Sequence, residues 1–312
     1  MEITAPFTEV SRNYDLLPPV SHPNYQLWAN YAAFALDRGE LVADILESFS
    51  PIANLNILDV GFGTGGTTLA LAARGACVTA IERHPQKVQK FRQEIGALQM
   101  PVTILSGDAQ NLKFANETFD WVILQDVLEH LPEPAKAIHE ACRALKPNGW
   151  LYISTPNRWS PLNFVCDPHW NLPFVSVLPR RAVNWYITKL LRREKIARAD
   201  FAALFSLFKL RHWLKQEGFE LRFVNLKIAQ RLFQQPTAVV NSEAHIRVVN
   251  WLARWRLDKL VARLVNDGLG FFNYFINPTW YLVAKTRNAT FMSRALKSHG
   301  MNVALQTLRY EK

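Results

Sequence analysis

The sequence has few cysteines and no apolar run long enough to span a bilayer. Its three cysteines, Cys77, Cys142 and Cys166, are widely separated and form no C-x-x-C pair, so the chain suggests neither a disulfide framework nor a thiolate zinc site. The longest apolar stretches, such as 201–208, fall short of the about 20 residues that a transmembrane helix needs. No basic segment followed by an apolar run marks a secretory signal at the N-terminus. These absences predict a protein of the reducing cytoplasm that is not exported.

The charge balance is strongly basic. With 36 Lys and Arg against 26 Asp and Glu, the formal net charge is +10, which favours an anionic partner: a phosphate-bearing substrate, a nucleic acid or a membrane surface. Charge alone does not choose among the three. A length of 312 residues is enough for one large α/β core with insertions.

Between residues 56 and 156, short apolar runs alternate with longer stretches of helical period, which is typical of parallel strands joined by helices. The apolar runs lack polar alternation, as expected for strands covered on both faces. With two further runs near the C-terminus they predict seven strands: Asn56–Val60, Cys77–Glu82, 102–107, Phe119–Gln125, 150–154, 219–226 and 280–284. Gly75, Pro85 and the triplet Pro147-Asn148-Gly149 mark the ends of the intervening helices. We therefore predict an α/β fold around a central sheet.

The regular alternation breaks twice, and each break predicts an insertion. Residues 157–179 are rich in proline and tryptophan, and a helix at 203–216 follows them. A second helical insertion, at about 242–272, precedes the last strand. The predicted organisation is an N-terminal helical segment, 1–50, a core, 51–287, and a tail, 288–312. Insertions 157–200 and 234–277 of the core would form a helical cap.

A glycine-rich turn, Asp59-Val60-Gly61-Phe62-Gly63-Thr64-Gly65, follows the first predicted strand. Gly61, Gly63 and Gly65 would let a ligand approach the backbone, and the N–H groups at the start of the next helix favour negative charge there. With Gly66, the turn also satisfies the dinucleotide fingerprint G-x-G-x-x-G. Glu82, at the end of the second strand, is placed to accept hydrogen bonds from ribose hydroxyls. NAD and S-adenosylmethionine both fit these features.

The next two strand ends separate the two cofactors. Asp108, in Gly107-Asp108-Ala109, could accept a hydrogen bond from an adenine amino group, and the segment 125–131 follows the fourth strand. In order and spacing, the motifs between residues 56 and 156 resemble those of class I S-adenosylmethionine-dependent methyltransferases, particularly the ubiquinone-biosynthesis O-methyltransferases. These motifs are 57–65, 78–82, 107–109, 125–131 and 145–150.

The resemblance implies a Rossmann-like fold with a seven-stranded, mostly parallel sheet, helices on both faces, and S-adenosylmethionine as the cofactor. It places Asp59 and the three glycines Gly61, Gly63 and Gly65 at the methionine end of that cofactor. It places Glu82 at the ribose hydroxyls, Asp108 and Ala109 at the adenine, and Gln125 below the sulfonium. No metal is predicted. The two insertions depart from the family.

Methyl transfer from a sulfonium is an in-line displacement, so a dedicated base is optional. If the acceptor is a hydroxyl, a histidine within hydrogen-bond reach would assist. The candidate catalytic residues are His130, His169 and Asp126. Each has a simpler explanation: His130 as a capping or packing residue, His169 as a loop-ordering hydrogen bond, and Asp126 as the N-cap of the next helix.

Two stretches predict basic amphipathic helices. In 180–198, seven basic residues oppose an apolar face that includes Val183, Ile187 and Leu190, and in 246–264 two tryptophans lie among five cations. Such helices suit an anionic membrane interface, a solvated face over a packed cap, or RNA phosphate. No RNA-binding module accompanies them, which makes nucleic acid the less favoured partner.

These features predict methyl transfer from S-adenosylmethionine to an oxygen, less favourably a carbon or nitrogen, of a small hydrophobic or lipid-linked acceptor. The enzyme would be cytoplasmic, with peripheral contact at the inner membrane face. The alternatives are an RNA methyltransferase, a nicotinamide-dependent oxidoreductase and a cofactor-binding regulator without catalysis. Asp59 directly before the first glycine and Asp108 after the third strand favour S-adenosylmethionine over NAD.

Overall fold

The computed structural model of the protein describes residues 25–98, 100–170, 172–191, 202–240 and 243–286. Helix α1 spans Tyr25–Glu47, within the N-terminal segment that we expected to be helical. The tail at 288–312 and the second half of the first basic stretch, 192–198, lie outside the described residues. None of the helices in the described ranges is long and apolar enough to cross a bilayer.

A seven-stranded sheet forms the centre of the molecule. Its strands are β1 (Asn56–Val60), β2 (Cys77–Glu82), β3 (Val102–Ser106), β4 (Phe119–Gln125), β5 (Leu145–Pro156), β6 (Phe219–Phe223) and β7 (Thr279–Thr286). They lie in the order β3-β2-β1-β4-β5-β7-β6. The first five strands pair in parallel, whereas β7 is antiparallel to both β5 and β6. The predicted seven-stranded, mostly parallel sheet is confirmed.

Helices cover both faces of the sheet, as predicted. On β4, Trp121 and Ile123 belong to one core cluster, whereas Val122 and Leu124 belong to another, because successive side chains of a strand point to opposite faces. The helices are α1, α2 (Gly66–Ala73), α3 (Pro85–Leu98), α4 (Pro134–Ala144), α5 (Pro161–Val165), α6 (Arg180–Trp185), α7 (Leu207–Gln216), α8 (Asn225–Gln234), α9 (Glu243–Arg254) and α10 (Asp258–Leu264).

Several strand and helix boundaries differ from the sequence predictions: β5 and β7 are longer at both ends than predicted and β3 ends one residue earlier. Helix α4 ends at Ala144 and β5 begins at once, so the triplet 147–149 lies within a strand where we expected a helix to stop. Helix α7 begins at Leu207 and not at 203, since the Ser206 hydroxyl caps it by accepting a hydrogen bond from the Lys209 N–H. Strand β6 is shorter than predicted because α8 begins at Asn225.

The first insertion contains short helices in place of one long one. Helix α6 continues directly into a π-helical turn at Tyr186–Leu190. Val183 and Ile187 are buried in a small cluster of their own, which confirms the predicted apolar face. Leu190, which we expected on that face, is instead 58% exposed, because the α-helical spacing of side chains ends at the π turn.

The second insertion is divided as well. The sequence predicted one amphipathic helix at 246–264, but the chain breaks between α9 and α10, where Arg256 has a positive φ of 54°. Trp251 and Trp255 are 56% and 64% exposed. These two aromatic side chains therefore face solvent and do not form the buried side of a cap.

Buried asparagines connect both insertions to the sheet. The Asn277 amide donates a hydrogen bond to Asn225 Oδ1 (3.2 Å), and the Asn157 amide donates to the Asn277 carbonyl (2.9 Å). Asn163, in α5, donates to the Pro278 carbonyl (2.6 Å). Removing one partner of a buried hydrogen bond leaves the other unsatisfied, which costs free energy of folding. This network therefore holds the two insertions at the same edge of the sheet.

Candidate functional site

The glycine-rich turn leads from β1 into α2 at the carboxyl end of the parallel strands. Gly61, Gly63 and Gly65 adopt positive φ angles of 71°, 56° and 79°, a region that favours glycine. A Cβ on Gly65 would lie 2.1 Å from the Phe91 ring, whereas a Cβ on Gly63 would meet nothing closer than 3.8 Å. The turn is thus tightly packed on one side and accessible on the other.

A pocket opens over the accessible side of this turn. It is lined by Ala35, Arg38, Asp59, Gly61, Phe62, Gly63, Thr64, Gly66, Thr67 and Gln125. These residues come from α1, β1, the turn, α2 and the end of β4. The Thr67 hydroxyl donates to Gln125 Oε1 (2.5 Å), which joins the start of α2 to the end of β4. The structure therefore brings the predicted glycine, β1 and β4 residues together around one space.

Two buried carboxylates, Asp59 and Glu82, flank the turn. The Thr68 hydroxyl donates to Asp59 Oδ2 (2.6 Å). Burial raises the pKa of Asp59 to about 6; the hydrogen bond from Thr68 opposes this increase, and the charge of Glu82 adds to it. Glu82 accepts hydrogen bonds from the N–H groups of Arg83 (2.9 Å) and Gly63 (3.4 Å). Both side chains are therefore fixed in position beside the turn.

The residues predicted to contact adenine lie one strand further along. Strands β2 and β3 pair Glu82 with Ser106, and Asp108 follows two residues later. Asp108 Oδ1 accepts a hydrogen bond from the Gln110 N–H (2.9 Å), and Ala109 is buried. Asp108 and Ala109 thus lie at the same sheet edge as Glu82, which accepts a hydrogen bond from the pocket residue Gly63.

Helix α1 contributes a residue that the sequence analysis missed. Arg38 lines the pocket and forms an ion pair with Asp126. The helix approaches α2 closely because the contact lacks side chains: a Cβ on Gly39 would lie 2.3 Å from the Gly66 carbonyl oxygen. The signal in the sequence was an isolated glycine within a helical stretch. A guanidinium in this position can bind a carboxylate.

Asp126 occupies a special backbone position directly after β4. Its φ is 53°, a value that is uncommon outside glycine, asparagine and aspartate. Its carboxylate accepts a hydrogen bond from the Ser154 hydroxyl (2.8 Å) and pairs with Arg38. The turn Leu128–His130 has Val127 at its N-cap and no side-chain capping bond. Asp126 therefore does not cap that turn, contrary to the simpler explanation considered above.

Glu129, His130 and His169 come together next to Asp126. Their carboxylate and ring nitrogen atoms lie within 4.8 Å of one another, and Glu129 Oε1 is 3.9 Å from His169 Nε2. Glu129 is buried and accepts a hydrogen bond from the Thr155 hydroxyl (2.9 Å). Burial, and next the charge of Asp126, raise the pKa of Glu129 well above its ordinary value.

The sequence analysis named both histidines of this cluster but not Glu129, since a glutamate after a strand carries no local signal of its tertiary partners. A carboxylate beside two imidazoles can accept or donate protons near neutral pH. Donors of this kind, within this distance of one another, could also share one divalent cation.

Hydrogen bonds tie the first insertion to this cluster. The Arg180 guanidinium donates to the carbonyl groups of Glu129 (3.2 Å) and Leu131 (3.3 Å). Asp167, which is buried, accepts a hydrogen bond from the His169 N–H (2.9 Å). The loop-ordering bond considered for His169 is therefore made by its backbone, and its ring lies beside Glu129.

Comparison with known proteins covers much of this site. Residues 58–153 match a family model described as a methyltransferase domain. The fold is similar to that of an S-adenosylmethionine-dependent methyltransferase from Mesorhizobium loti, with a TM-score of 0.50 and 16% identity over 78% of this chain and 96% of that one. At this identity the similarity concerns the fold alone.

Curated relatives are more similar in sequence over shorter spans. A ubiquinone biosynthesis O-methyltransferase from Hydrogenovibrio crunogenus is 34% identical over 37% of this chain and 48% of its own length. A demethylmenaquinone methyltransferase from Clavibacter sepedonicus is 33% identical over 50% of this chain and 59% of its own length. A 2-methyl-6-phytyl-1,4-hydroquinone methyltransferase from Oryza sativa is 38% identical over 33% of this chain and 31% of its own length. The chain thus spans about half the length of the first two relatives and less of the third.

Proposed function

We infer from the methyltransferase domain at residues 58–153, which has the class I fold, that this protein transfers a methyl group from S-adenosylmethionine to a hydroxyl oxygen of a small quinone-related acceptor. The observation that carries the proposal is the glycine turn with Asp59 and Glu82 on either side of it. The names of the relatives support the acceptor class, and O-methylation is the activity in the name of the ubiquinone relative.

The residues at the glycine turn fit the methionine end of this cofactor. Gly63 leaves room for a ligand against the backbone, and the positive φ angles of Gly61 and Gly65 form the turn on either side of it. Asp59, at the end of β1, would accept hydrogen bonds from the ammonium group, and Arg38 would bind the carboxylate. When bound, S-adenosylmethionine supplies an electrophilic methyl group on a positively charged sulfur.

The residues at the neighbouring strand ends fit the rest of the cofactor. Glu82 would accept hydrogen bonds from the ribose hydroxyls, in the place where an acidic residue does so in other nucleotide-binding sheets. Asp108 and Ala109 would contact the adenine. Gln125, which Thr67 orients, would lie below the sulfonium and exclude water from it.

The acceptor would bind on the side of the pocket where the first insertion meets β4. We propose that the His169 ring accepts the hydroxyl proton. The positive charge of the protonated ring then favours the ionised form of the adjacent Glu129, which stabilises that ring. The ring of His130 lies 5.0 Å from that of His169, edge to face, and would hold it in place. Asp126, bonded to Arg38 and Ser154, would position Arg38.

We further propose that α6 and α9 make peripheral contact with an anionic membrane. In the first insertion, Arg181, Trp185 and Lys189 follow at four-residue intervals and are exposed. Trp251 on α9, and Trp255 directly after this helix, are exposed among basic residues. Aromatic side chains between cations suit the level of the lipid headgroups. This contact would bring the enzyme to a hydrophobic or lipid-linked acceptor.

Calorimetric titration with S-adenosylhomocysteine, and separately with NADH, tests the cofactor. We expect binding of the first ligand alone, and an affinity about tenfold lower for Glu82→Gln, because the amide offers the ribose hydroxyls one acceptor fewer in a buried site. The matched control is Glu117→Gln, an exposed carboxylate at the amino end of β4, which should bind like the wild type. Binding of NADH, or of neither ligand by folded protein, would contradict the proposal.

Transfer itself is tested with methyl-labelled S-adenosylmethionine and 1,2-dihydroxybenzene. We expect label in the methyl ether of this water-soluble acceptor. A protein that binds S-adenosylhomocysteine but labels neither this compound nor a 1,4-hydroquinone would be a cofactor-binding regulator or act on another acceptor class.

A further inference from the structure

The exposed apolar side chains are concentrated in one part of the molecule. Among the residues whose burial the structure describes, every exposed large apolar side chain lies between Trp159 and Ile276, and residues 34–156 contribute none. Most belong to the two insertions. The first insertion follows the carboxyl end of β5, and the second precedes β7, which is antiparallel to β5. Both insertions therefore lie at the sheet edge where the pocket opens.

Within this region, two short segments that contact each other carry a group of exposed apolar side chains that we call the apolar platform: Leu162, Phe164, Val165, Phe174, Phe271 and Phe275. The most exposed members are Phe271 (71%), Val165 (68%) and Leu162 (61%). Ring centroids lie 4.8 Å apart for Phe164 and Phe174, and 5.3 Å apart for Phe271 and Phe275.

A hydrogen bond connects the two segments of the platform. The Ser160 hydroxyl, directly before α5, donates to the Ile276 carbonyl (2.9 Å). Because the buried asparagines also hold both insertions to the same strands, the platform is a fixed surface formed by two separate parts of the chain.

The platform contains no charged side chain, and around it the three described cations outnumber one exposed acid, Asp267, which accepts a hydrogen bond from the Leu226 N–H (3.1 Å). In 161–168 the one ionisable acid, Asp167, is buried, and 268–278 contains no charged residue. Cations lie on its borders: Arg158 over the Trp159 ring (5.7 Å), Arg211 over Tyr274 (5.9 Å), and Lys209 next to the exposed Phe208. An apolar centre with a basic border matches the acyl chains and anionic headgroups of a bilayer.

A second copy of the chain fits this surface less well. In a two-fold dimer each patch faces its own kind, so the basic border would meet the same basic border, and like charges in an interface are unfavourable. An anionic lipid layer complements the apolar centre and the border together.

The platform lies next to the acceptor side of the site. His169, 3.9 Å from Glu129, belongs to the loop between Val165 and Phe174, so the same loop carries platform residues at both ends and a candidate catalytic residue in its middle.

We propose that the apolar platform inserts into the acyl-chain layer of an anionic membrane and turns the acceptor side of the site toward the bilayer, so that a lipid-linked acceptor enters laterally. This inference rests on the membrane contact in the proposed function and goes beyond it. The basic helices bind headgroups, whereas the platform gives an apolar, salt-resistant component of binding and sets the orientation of the enzyme.

Vesicle flotation in 0.5 M NaCl tests the proposal, since salt at this concentration screens the headgroup attraction. The full chain is floated with phosphatidylglycerol vesicles as wild type, as Leu162→Gln/Phe271→Gln, and as the matched control Leu162→Met/Phe271→Leu, which keeps both positions apolar. We expect the glutamine variant to partition at least tenfold more weakly than the control, because each lost apolar contact weakens binding by about that factor.

Two further measurements make the result specific. All three proteins should bind S-adenosylhomocysteine and methylate 1,2-dihydroxybenzene equally without vesicles. If the wild type did neither, the proposed function would be contradicted, whereas the flotation result would still test the platform. Equal partition of the two variants would overturn the platform proposal. A wild-type dimer that the glutamine variant abolishes, seen by light scattering, would also overturn it and assign the surface to a second copy.

Discussion

At the scale of single residues, the pair of buried carboxylates beside the glycine turn lowers the stability of the fold at neutral pH by a measurable amount. Asp59 lies 2% exposed with Glu82 nearby, and its pKa is raised from 3.8 to about 6. Because the folded state binds the Asp59 proton more tightly than the unfolded state, Asp59 favours folding at acidic pH, and this contribution is lost as the pH rises through about 6.

We predict that Asp59→Asn removes this pH dependence. In the wild type, lowering the pH from 7.5 to 5 should add about 1.4 kcal/mol to the free energy of unfolding through Asp59. Urea unfolding at both pH values should therefore show an increment that is smaller by about this amount in Asp59→Asn. The control Glu117→Gln should keep the wild-type increment. An unchanged increment in Asp59→Asn would mean that the carboxyl is ionised in the folded protein at pH 5.

Residues that act within one turn could be predicted from the sequence, and residues that act across the fold could not. Asp59 and Glu82 lie near the carboxyl ends of strands whose apolar pattern is local, and the structure places both residues in the predicted strands. Arg38 pairs with Asp126, which lies 88 positions further along the sequence, and no pattern within α1 indicates this partner. Glu129 likewise depends on His169, which lies in an insertion without regular periodicity.

At the scale of elements, the contact of α1 with α2 depends on two glycines. A Cβ on Gly66 would lie 2.2 Å from the Ala35 carbonyl oxygen, and a Cβ on Gly39 would meet the Gly66 carbonyl. The two helix backbones thus touch directly, and this contact sets the position of Arg38 above the turn.

We predict that Gly39→Ala weakens both stability and cofactor binding. The added methyl group should push α1 away at a cost of about 1–3 kcal/mol, and displacement of Arg38 should lower the affinity for S-adenosylhomocysteine about tenfold. Thermal unfolding and calorimetry measure the two effects. The matched control is Gly96→Ala in α3, where a Cβ meets nothing within 4 Å and alanine should stabilise the helix by about 0.5–1 kcal/mol. Similar behaviour of the two variants would rule out a close helix contact.

The element predictions succeeded for strands and were less accurate for helices of the insertions. Strands covered on both faces are rich in apolar residues, so their number and their positions along the sequence could be predicted. The break at Arg256 and the π turn after Trp185 depend on packing between distant segments, and helical periodicity continues through both positions in the sequence.

At the scale of the whole molecule, the net charge of +10 and the exposed aromatic residues of the insertions both favour the proposed contact with an anionic membrane. Arg247 and Arg254 are exposed on α9 near Trp251 and Trp255. We predict that Arg247→Gln/Arg254→Gln binds phosphatidylglycerol vesicles about thirtyfold more weakly at low salt, since each cation near the surface contributes about 1 kcal/mol. Sedimentation at several salt concentrations measures this, and the slope with salt should decrease.

The control for this experiment is Lys113→Gln, an exposed cation outside the insertions, which should leave vesicle binding unchanged. Retention of RNA at physiological salt, with no binding to vesicles, would contradict the membrane proposal and favour a nucleic acid partner. The sequence predicted a basic, amphipathic character for these helices. It could not predict which side faces solvent, because that depends on how α9 and α10 pack against the core.

The close contact between α1 and α2 also determines how much of the chain is needed to form the complete pocket. The matched methyltransferase domain starts at residue 58, yet Ala35 and Arg38 line the pocket from outside it. A fragment that begins at residue 58 would keep the last three residues of β1 but would lose α1, which forms one wall of the pocket. Grafting this pocket onto another protein would therefore require α1 to be carried along with the strands, with Gly39 unchanged.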